Sequence, residues 1–203
     1  MSGLHGPKGR VARALRIAVS PKTARILERR AYPPGDHGML RKRTTAASVY
    51  QVQLKEKQRL RFVYNISEKQ LSETFQRAAA RSGSTGDNLL VLLETRLDAV
   101  VHRLGFARSM FAARQYVGHG HFEVNGRRTF IPSYRLRPGD EITLRISSSN
   151  HPQIREALRD PREVPDYLIL DKVALRGRIA AWPSPDRIPV TIDMQLVVEH
   201  YSR

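Results

Sequence analysis

The chain has 203 residues, 40% of them hydrophobic, which is enough to bury a core in one large or two small domains. Its 35 Lys and Arg residues exceed its 19 Asp and Glu residues, and the net charge of +16 predicts a polyanionic partner. The lack of cysteine excludes disulfides, thiolate zinc sites and cysteine nucleophiles, and no apolar run is typical of a membrane span or a secretory signal. We therefore expect a cytoplasmic, globular protein without a membrane partner.

The positive charge lies in two zones. Residues 1–61 hold fifteen Lys and Arg against three acids, and residues 96–145 hold nine against four, whereas 62–95 and 146–203 are nearly neutral. Arginine supplies 28 of the 35 cations, and its forked guanidinium suits phosphate oxygens. A well-solvated basic surface is the alternative, but such a surface usually mixes both signs. The segregation favours two phosphate-binding surfaces.

The first 45 residues show no sustained helical or strand period and hold eleven cations against two acids. The sequence Pro33-Pro-Gly-Asp36 is typical of a turn. We predict an extended basic arm with one short helix at about Pro21 to Arg30, where proline suits the first helical position.

Three helices are predicted next. Ser48 with Gln51, and Ser67 with Gln70, match the capping box, so helices should run from Ser48 to about Val63 and from Ser67 to about Arg81. The first helix places Lys55 and Arg59 one turn apart on an exposed face. A third helix should start near Asp87 or Asn88 and end at Gly105. Its apolar stripe consists of Leu89, Leu93, Leu97, Val100, Val101 and Leu104.

The segment 109–145 predicts a helix followed by a small antiparallel sheet. Ser109 can cap the helix and Gly120 can end it, with Arg114 and Gln115 facing outward. The inward positions are Ala113, Tyr116 and Val117. Asn125-Gly126 is the strongest hairpin motif of the chain, and Arg127 and Arg128 follow the turn. The turn Arg137-Pro-Gly-Asp140 introduces a last strand at 141–145, in which Ile142 and Leu144 face inward.

Catalytic and metal chemistry have little support. His119 and His121, with His102 elsewhere, make a weak set of metal ligands. Two other interpretations explain these histidines better: their imidazoles bind RNA, or they are surface side chains whose hydrogen bonds are satisfied. Walker, dinucleotide and Gly-x-Ser-x-Gly motifs are absent. Arg-Leu-Asp also occurs at the catalytic aspartate of pseudouridine synthases, but at 96–98 it is predicted inside a helix, with an exposed acid. We predict neither an enzyme nor a metal or cofactor site.

Several motifs resemble one family. They are Asn88-Leu-Leu-Val-Leu-Leu-Glu-Thr-Arg-Leu-Asp-Ala-Val-Val101, Ala112-Ala-Arg-Gln-Tyr-Val-Gly-His-Gly-His121, Val124-Asn-Gly126, Ile131-Pro-Ser-Tyr134 and Pro138-Gly-Asp140. These are similar to the RNA-binding module of the small-subunit (30S) ribosomal protein S-four family, a module also found in tyrosyl-tRNA synthetases, pseudouridine synthases and a heat-shock protein. Flanking segments are similar to ones specific to the ribosomal protein, in a bacterial-type variant without zinc cysteines. These flanks are Tyr32-Pro-Pro-Gly-Asp-His-Gly38, Val52-Gln-Leu-Lys-Glu-Lys-Gln58, Ile66-Ser-Glu-Lys-Gln70 and Gln195-Leu-Val-Val-Glu-His-Tyr-Ser-Arg203.

The resemblance implies an α+β fold in three parts. These are a basic N-terminal arm at 1–45, a helical domain from 46–90 plus 188–203, and an inserted S-four-type RNA-binding domain at 91–187. It implies a structural constituent of the small subunit that binds 16S ribosomal RNA at a 5′-domain junction, nucleates assembly and influences decoding accuracy. It also implies that Arg41, Lys42 and Arg43 lie where messenger RNA enters, beside the S-five and S-three families. The ribosome would be cytoplasmic, with an organellar one not excluded.

The predicted RNA-binding residues combine both basic zones with the resemblance. They are Lys8, Arg10, Arg13, Arg16, Arg41, Lys42, Arg43, Lys55, Arg59, Arg108, Arg114, Gln115, His119, His121, Arg127, Arg128, Ser133, Tyr134 and Arg135. A free-standing RNA chaperone or translational repressor with the same module is the alternative function. The flanking motifs and the length of the chain favour the ribosomal protein.

Overall fold

Serine caps fix the starts of several helices in the computed structural model, which describes residues 6–39, 47–160 and 163–202. Both predicted capping boxes are present: Ser48 Oγ accepts from the Gln51 amide, and Ser67 Oγ accepts from the Gln70 amide. The helices are α1 Lys8–Leu15, α2 Pro21–Arg29, α3 Val49–Tyr64, α4 Glu68–Ala79, α5 Thr85–Glu94, α6 Leu97–Arg103, α7 Met110–Gly118, α8 Pro152–Arg159 and α9 Met194–Tyr201. The strands are β1 Phe122–Val124, β2 Arg127–Arg128, β3 Glu141–Leu144, β4 Leu168–Asp171 and β5 Arg176–Ile179. The predicted α+β fold class is confirmed.

The N-terminal segment is not the extended arm that we predicted. Its expected helix is present as α2, capped by Ser20 with proline in the first turn, but α1 precedes it and packs against it. The two helices approach closely because Gly9 has no side chain, and a Cβ there would lie 2.8 Å from Ile26 Cδ1. The sequence pattern missed α1 because Ala12 is its one buried residue and its apolar stripe is short.

The chain divides into two compact units, Met1–Asp87 with Val190–Arg203 and Asn88–Pro189. In the first unit α3 packs against α9, and the buried apolar residues include Leu60, Phe62, Tyr64 and Leu71. A polar network joins the same elements: Lys57 Nζ lies 3.0 Å from Glu68 Oε1, to which the Tyr201 hydroxyl donates at 2.7 Å. The C-terminal helix is therefore an integral part of this unit.

The second unit is built on a five-stranded antiparallel sheet in the order β2-β1-β3-β5-β4. The predicted hairpin is present, and Asn125 and Gly126 have positive φ angles of 50° and 74°, as a two-residue turn of this kind requires. The predicted inward residues Ala113, Tyr116, Val117, Ile142 and Leu144 are all buried. The sheet and α6 and α7 share one apolar core.

The predicted third helix is interrupted, which corrects the sequence analysis. Its apolar stripe is fully buried as expected, but α5 ends at Glu94 and α6 starts at Leu97. At the break the backbone bonds to a distant segment: the Leu97 amide donates to the Tyr134 carbonyl at 2.9 Å, and the Leu136 amide donates to the Thr95 carbonyl at 2.9 Å. These long-range bonds replace helical ones, so a periodicity argument could not reveal the break.

Within the described part of the chain, none of the helices has both the length and the apolar character needed to cross a membrane.

Candidate nucleic-acid interface

The first candidate surface lies on α1 and α2. Arg10, Arg29 and Arg30 are exposed and line one groove of about 670 Å³ together with Arg13. Sequence reasoning included Arg10 and Arg13 but missed Arg29 and Arg30, because the helical pairing of α1 with α2 was not foreseen. Four guanidinium groups around one groove make a site suited to phosphate oxygens.

Arg13 already has partners within the protein. Its Nε donates to the Tyr32 carbonyl at 3.0 Å, its Nη2 donates to the Pro33 carbonyl at 2.9 Å, and the guanidinium lies 4.6 Å from the centre of the Tyr32 ring. Arg13 thus attaches the Tyr32-Pro33 turn to α1. Lys8 and Arg16 are exposed on the same helix and at its end, whereas Arg41, Lys42 and Arg43 lie outside the described residues.

On α3 the two cations that we predicted to be exposed differ in their exposure. Lys55 is exposed, but the Arg59 side chain is only 24% exposed and its Nη1 lies 2.6 Å from Glu56 Oε1. The expectation that both cations share an exposed face was wrong for Arg59, because a carboxylate three residues earlier pairs with it. Lys55 is the more accessible cation of the two.

The second candidate surface lies at the β1–β2 hairpin. Arg127, Arg128 and Tyr134 line one cleft, to which Phe130 and Ile131 also belong, and Ser133 is exposed in the same loop. Arg128 Nε donates to the Gly120 carbonyl at 3.2 Å, and its guanidinium lies 4.4 Å from the centre of the Phe130 ring. The predicted residues at the turn exit, together with Tyr134, therefore converge with the aromatic ring of Phe130, which the sequence analysis did not select.

Gly120 makes this arrangement possible. It has a φ of +71°, as predicted for the end of α7, and an added Cβ would lie 2.6 Å from Arg128 Nε and collide with the Phe130 ring. A side chain at this position would displace both residues. The glycine is thus needed for backbone conformation and for close packing.

Arg114 does not face outward as predicted, whereas Gln115 does. The Arg114 side chain is only 12% exposed, and its Nη1 lies 3.6 Å from Asp98 Oδ2. Burial lowers the pKa of Arg114 from its ordinary value, while the Asp98 carboxylate raises it in part. Asp98 itself was predicted to be exposed but is fully buried. Arg114 therefore adds a second cation beside a buried acid that Arg96 already contacts.

Arg108 and Arg135 also have neighbours that the sequence did not predict. Arg108 Nη1 lies 2.9 Å from Glu156 Oε1, and its Nε lies 3.4 Å from Asp160 Oδ2. Arg135 is half-buried, and its backbone forms an isolated β-bridge with Arg96.

His119 and His121 form a cluster with a third histidine, His151. The ring centres of His119 and His121 lie 6.0 Å apart, and those of His121 and His151 lie 5.3 Å apart. His121 Nδ1 is 2.8 Å from Ser148 Oγ, and burial, followed by the neighbouring cationic groups, lowers the pKa of His121. A phosphate would favour the charged imidazole, so binding through His121 would take up a proton. Across 6–39, 47–160 and 163–202, no group of three His, Cys, Asp or Glu residues is arranged to hold a metal ion.

Arg127 gives the simplest test of the hairpin surface, because its side chain is exposed whereas that of Arg128 supports Phe130. We expect Arg127→Ala to weaken RNA binding by about 1.5 to 3 kcal/mol, the range for hydrogen bonds to charged groups. A filter-binding titration on small-subunit RNA measures this loss. Arg178→Ala, which removes an exposed arginine from β5, is the matched control. Unchanged affinity of Arg127→Ala would contradict the assignment of the turn.

Comparisons with known proteins show the family of the chain. Residues 3–94 match the family model of the ribosomal protein S4/S9 N-terminal domain, and residues 95–142 match that of the S4 domain. The chain is 46% identical to the small ribosomal subunit protein uS4 of Persephonella marina, with 97% of each chain covered. It is 45% identical to uS4 of Geobacillus sp. strain WCH70 and 44% identical to uS4 of Staphylococcus haemolyticus, with 100% of each chain covered in both comparisons.

Proposed function

The chain belongs to the uS4 family of small ribosomal subunit proteins, and from this membership we propose that it is a structural, RNA-binding component of the small ribosomal subunit. The family is not an enzymatic one, so the protein binds rather than catalyses. The full-length identity to the relatives supports this proposal most strongly, because an RNA-binding module alone would fit several classes of protein. The convergence of Arg127 and Arg128 at one cleft supports RNA as the ligand.

The finer parts of the proposal rest on the family resemblance and on charge. We propose that the protein binds 16S ribosomal RNA at a junction in the 5′ domain, nucleates assembly there and influences decoding accuracy. Residues 91–187 would be the RNA-binding domain, 46–90 with 188–203 the helical domain, and 1–45 the basic N-terminal segment. Arg41, Lys42 and Arg43 would lie along messenger RNA beside proteins of the S-five and S-three families, in a cytoplasmic ribosome.

Cosedimentation tests the proposed function. A structural component should stay with small subunits through a high-salt wash, because salt weakens its phosphate contacts but not its packing against RNA and neighbouring proteins. A free-standing chaperone or repressor built on the same module should appear mainly in the soluble pool. We therefore expect the tagged, full-length protein in the small-subunit fraction of a sucrose gradient. Its recovery mainly from the soluble fraction would refute the proposal.

A further inference from the structure

Three neighbouring apolar side chains are unusually exposed near the β1–β2 hairpin. Phe130 is 50% exposed, Ile131 58% and Tyr134 40%, and all three line the cleft that Arg127 and Arg128 also line. The cleft measures about 620 Å³. Exposed apolar groups gathered at one place mark an interaction site more often than singly scattered ones do.

The walls of this cleft are held in place by the fold. The loop that carries Ile131 and Tyr134 is fixed to the start of α6: the Leu97 amide donates to the Tyr134 carbonyl at 2.9 Å, and the Asp98 amide donates to the Pro132 carbonyl at 3.1 Å. The Phe130 ring is supported by the Arg128 guanidinium at 4.4 Å, which Gly120 in turn holds through its carbonyl. A ligand would therefore meet an ordered surface and lose little binding energy to ordering it.

The chemistry of the cleft fits an unpaired nucleotide. Aromatic rings at half exposure offer a face on which a base can stack, and nearby arginines offer charge to the adjoining phosphates. An apolar protein side chain would also fit the rings, but it would leave Arg127 without an anionic group to contact. The exposed aromatic rings and the neighbouring arginines together favour RNA as the ligand.

Resting on the proposed function, we propose that this cleft captures one unpaired base of the small-subunit ribosomal RNA, which stacks on Phe130 while Arg127 contacts the neighbouring phosphate. The contact would select an unpaired nucleotide without reading its identity, because every base has a stacking face. Double-stranded RNA would not satisfy it, because its bases are already stacked on one another. The cleft thus adds a preference for RNA shape to the charge of the hairpin.

The test compares Phe130→Leu, which keeps an apolar side chain, with Phe130→Tyr, which keeps an aromatic ring. The probe is a full-length 16S ribosomal RNA transcript, titrated at several salt concentrations with the full-length protein and followed by chemical probing of base reactivity. We expect Phe130→Leu to lose about fivefold to a hundredfold in affinity, with the slope against salt unchanged, and Phe130→Tyr to bind like the parent. One unpaired base should become reactive in the complex with Phe130→Leu while the rest of the footprint persists.

Trp182→Leu is the matched control, because Trp182 is 54% exposed in the same unit but does not line the cleft. Equal affinity and footprint of Phe130→Leu and the parent would overturn the stacking proposal and leave the proposed function standing. A loss that appears only when other ribosomal proteins are present would also overturn it, in favour of a protein contact. If the parent fails to bind the transcript, both proposals fail. Phe130→Met, which also lacks an aromatic ring, serves as a second variant if Phe130→Leu does not fold by circular dichroism, and unchanged binding of Phe130→Met would then overturn the proposal.

Discussion

Neutralising six cations of the N-terminal segment is expected to lower the slope of log affinity against log salt by about four to five units. The six positions, each changed to glutamine, are Lys8, Arg10, Arg16, Arg41, Lys42 and Arg43. The expectation follows because each neutralised phosphate releases condensed counterions and contributes roughly 0.7 to 0.9 to the slope. Arg13 stays unchanged in this variant, since it attaches the Tyr32-Pro33 turn to α1.

The measurement is a salt titration of the parent and the variant on the same 16S ribosomal RNA transcript. A control variant removes three exposed cations from the second unit, Arg159, Lys172 and Arg178, and it is compared with a variant in which only Lys8, Arg10 and Arg16 are changed. Both remove three positive charges, so a nonspecific effect of net charge would lower the two slopes equally. Equal slopes would refute the idea that the N-terminal segment binds RNA phosphates.

The sequence allowed those parts of the fold to be predicted that depend on neighbours in the chain. The capping boxes at Ser48 and Ser67, the hairpin at Asn125-Gly126 and the left-handed Gly120 just after α7 are each determined by a few adjacent residues, and each is confirmed. The break between α5 and α6 was not predictable in this way. It depends on backbone hydrogen bonds to the loop at 132–136, which the chain reaches more than thirty residues later.

The candidate site was also predictable only where it depends on neighbours in the chain. Net charge indicated that arginines would matter, and Arg127 and Arg128 follow the hairpin turn as predicted. Which arginines are accessible was decided by acids that approach from elsewhere in the fold, as with Arg114, which is only 12% exposed beside Asp98 on α6. The exposed ring of Phe130 was overlooked because an aromatic residue in a strand-rich segment is usually assigned to a core. Only its place next to Arg128 in space identifies it as part of a surface.

Buried charge was the feature that the sequence analysis misjudged most. Asp98, predicted to be exposed, has a side chain that is 1% exposed and accepts two hydrogen bonds from Arg96, at 2.9 and 2.6 Å. Its Oδ1 also accepts from the Ala99 amide at 3.0 Å, and Arg114 approaches from α7. The acid therefore joins the start of α6 to the segment before it and to the next helix. This structural role fits a binding protein, in which the Arg-Leu-Asp sequence does not act on a substrate.

Asp98→Ala is accordingly expected to lower the free energy of unfolding by about 3 to 5 kcal/mol, the range for breaking a buried ion pair by removing one partner. The loss arises because Arg96, only 6% exposed, would keep its charge in a buried place without a carboxylate. Denaturant unfolding of the full-length protein measures the change.

Glu156→Ala is the matched control: it removes the acid from an exposed pair with Arg108, with side chains 57% and 41% exposed, and should cost less than about 1 kcal/mol. The double variant Arg96→Met with Asp98→Leu should recover part of the stability, since it removes the Arg96–Asp98 pair and keeps apolar volume, while the Arg114 charge stays in place. If the free energy of unfolding of Asp98→Ala lies within about 1 kcal/mol of the parent value, the charged contacts of Asp98 do not stabilise the break between α5 and α6. The hydrogen bonds to the loop at 132–136 must then stabilise it alone.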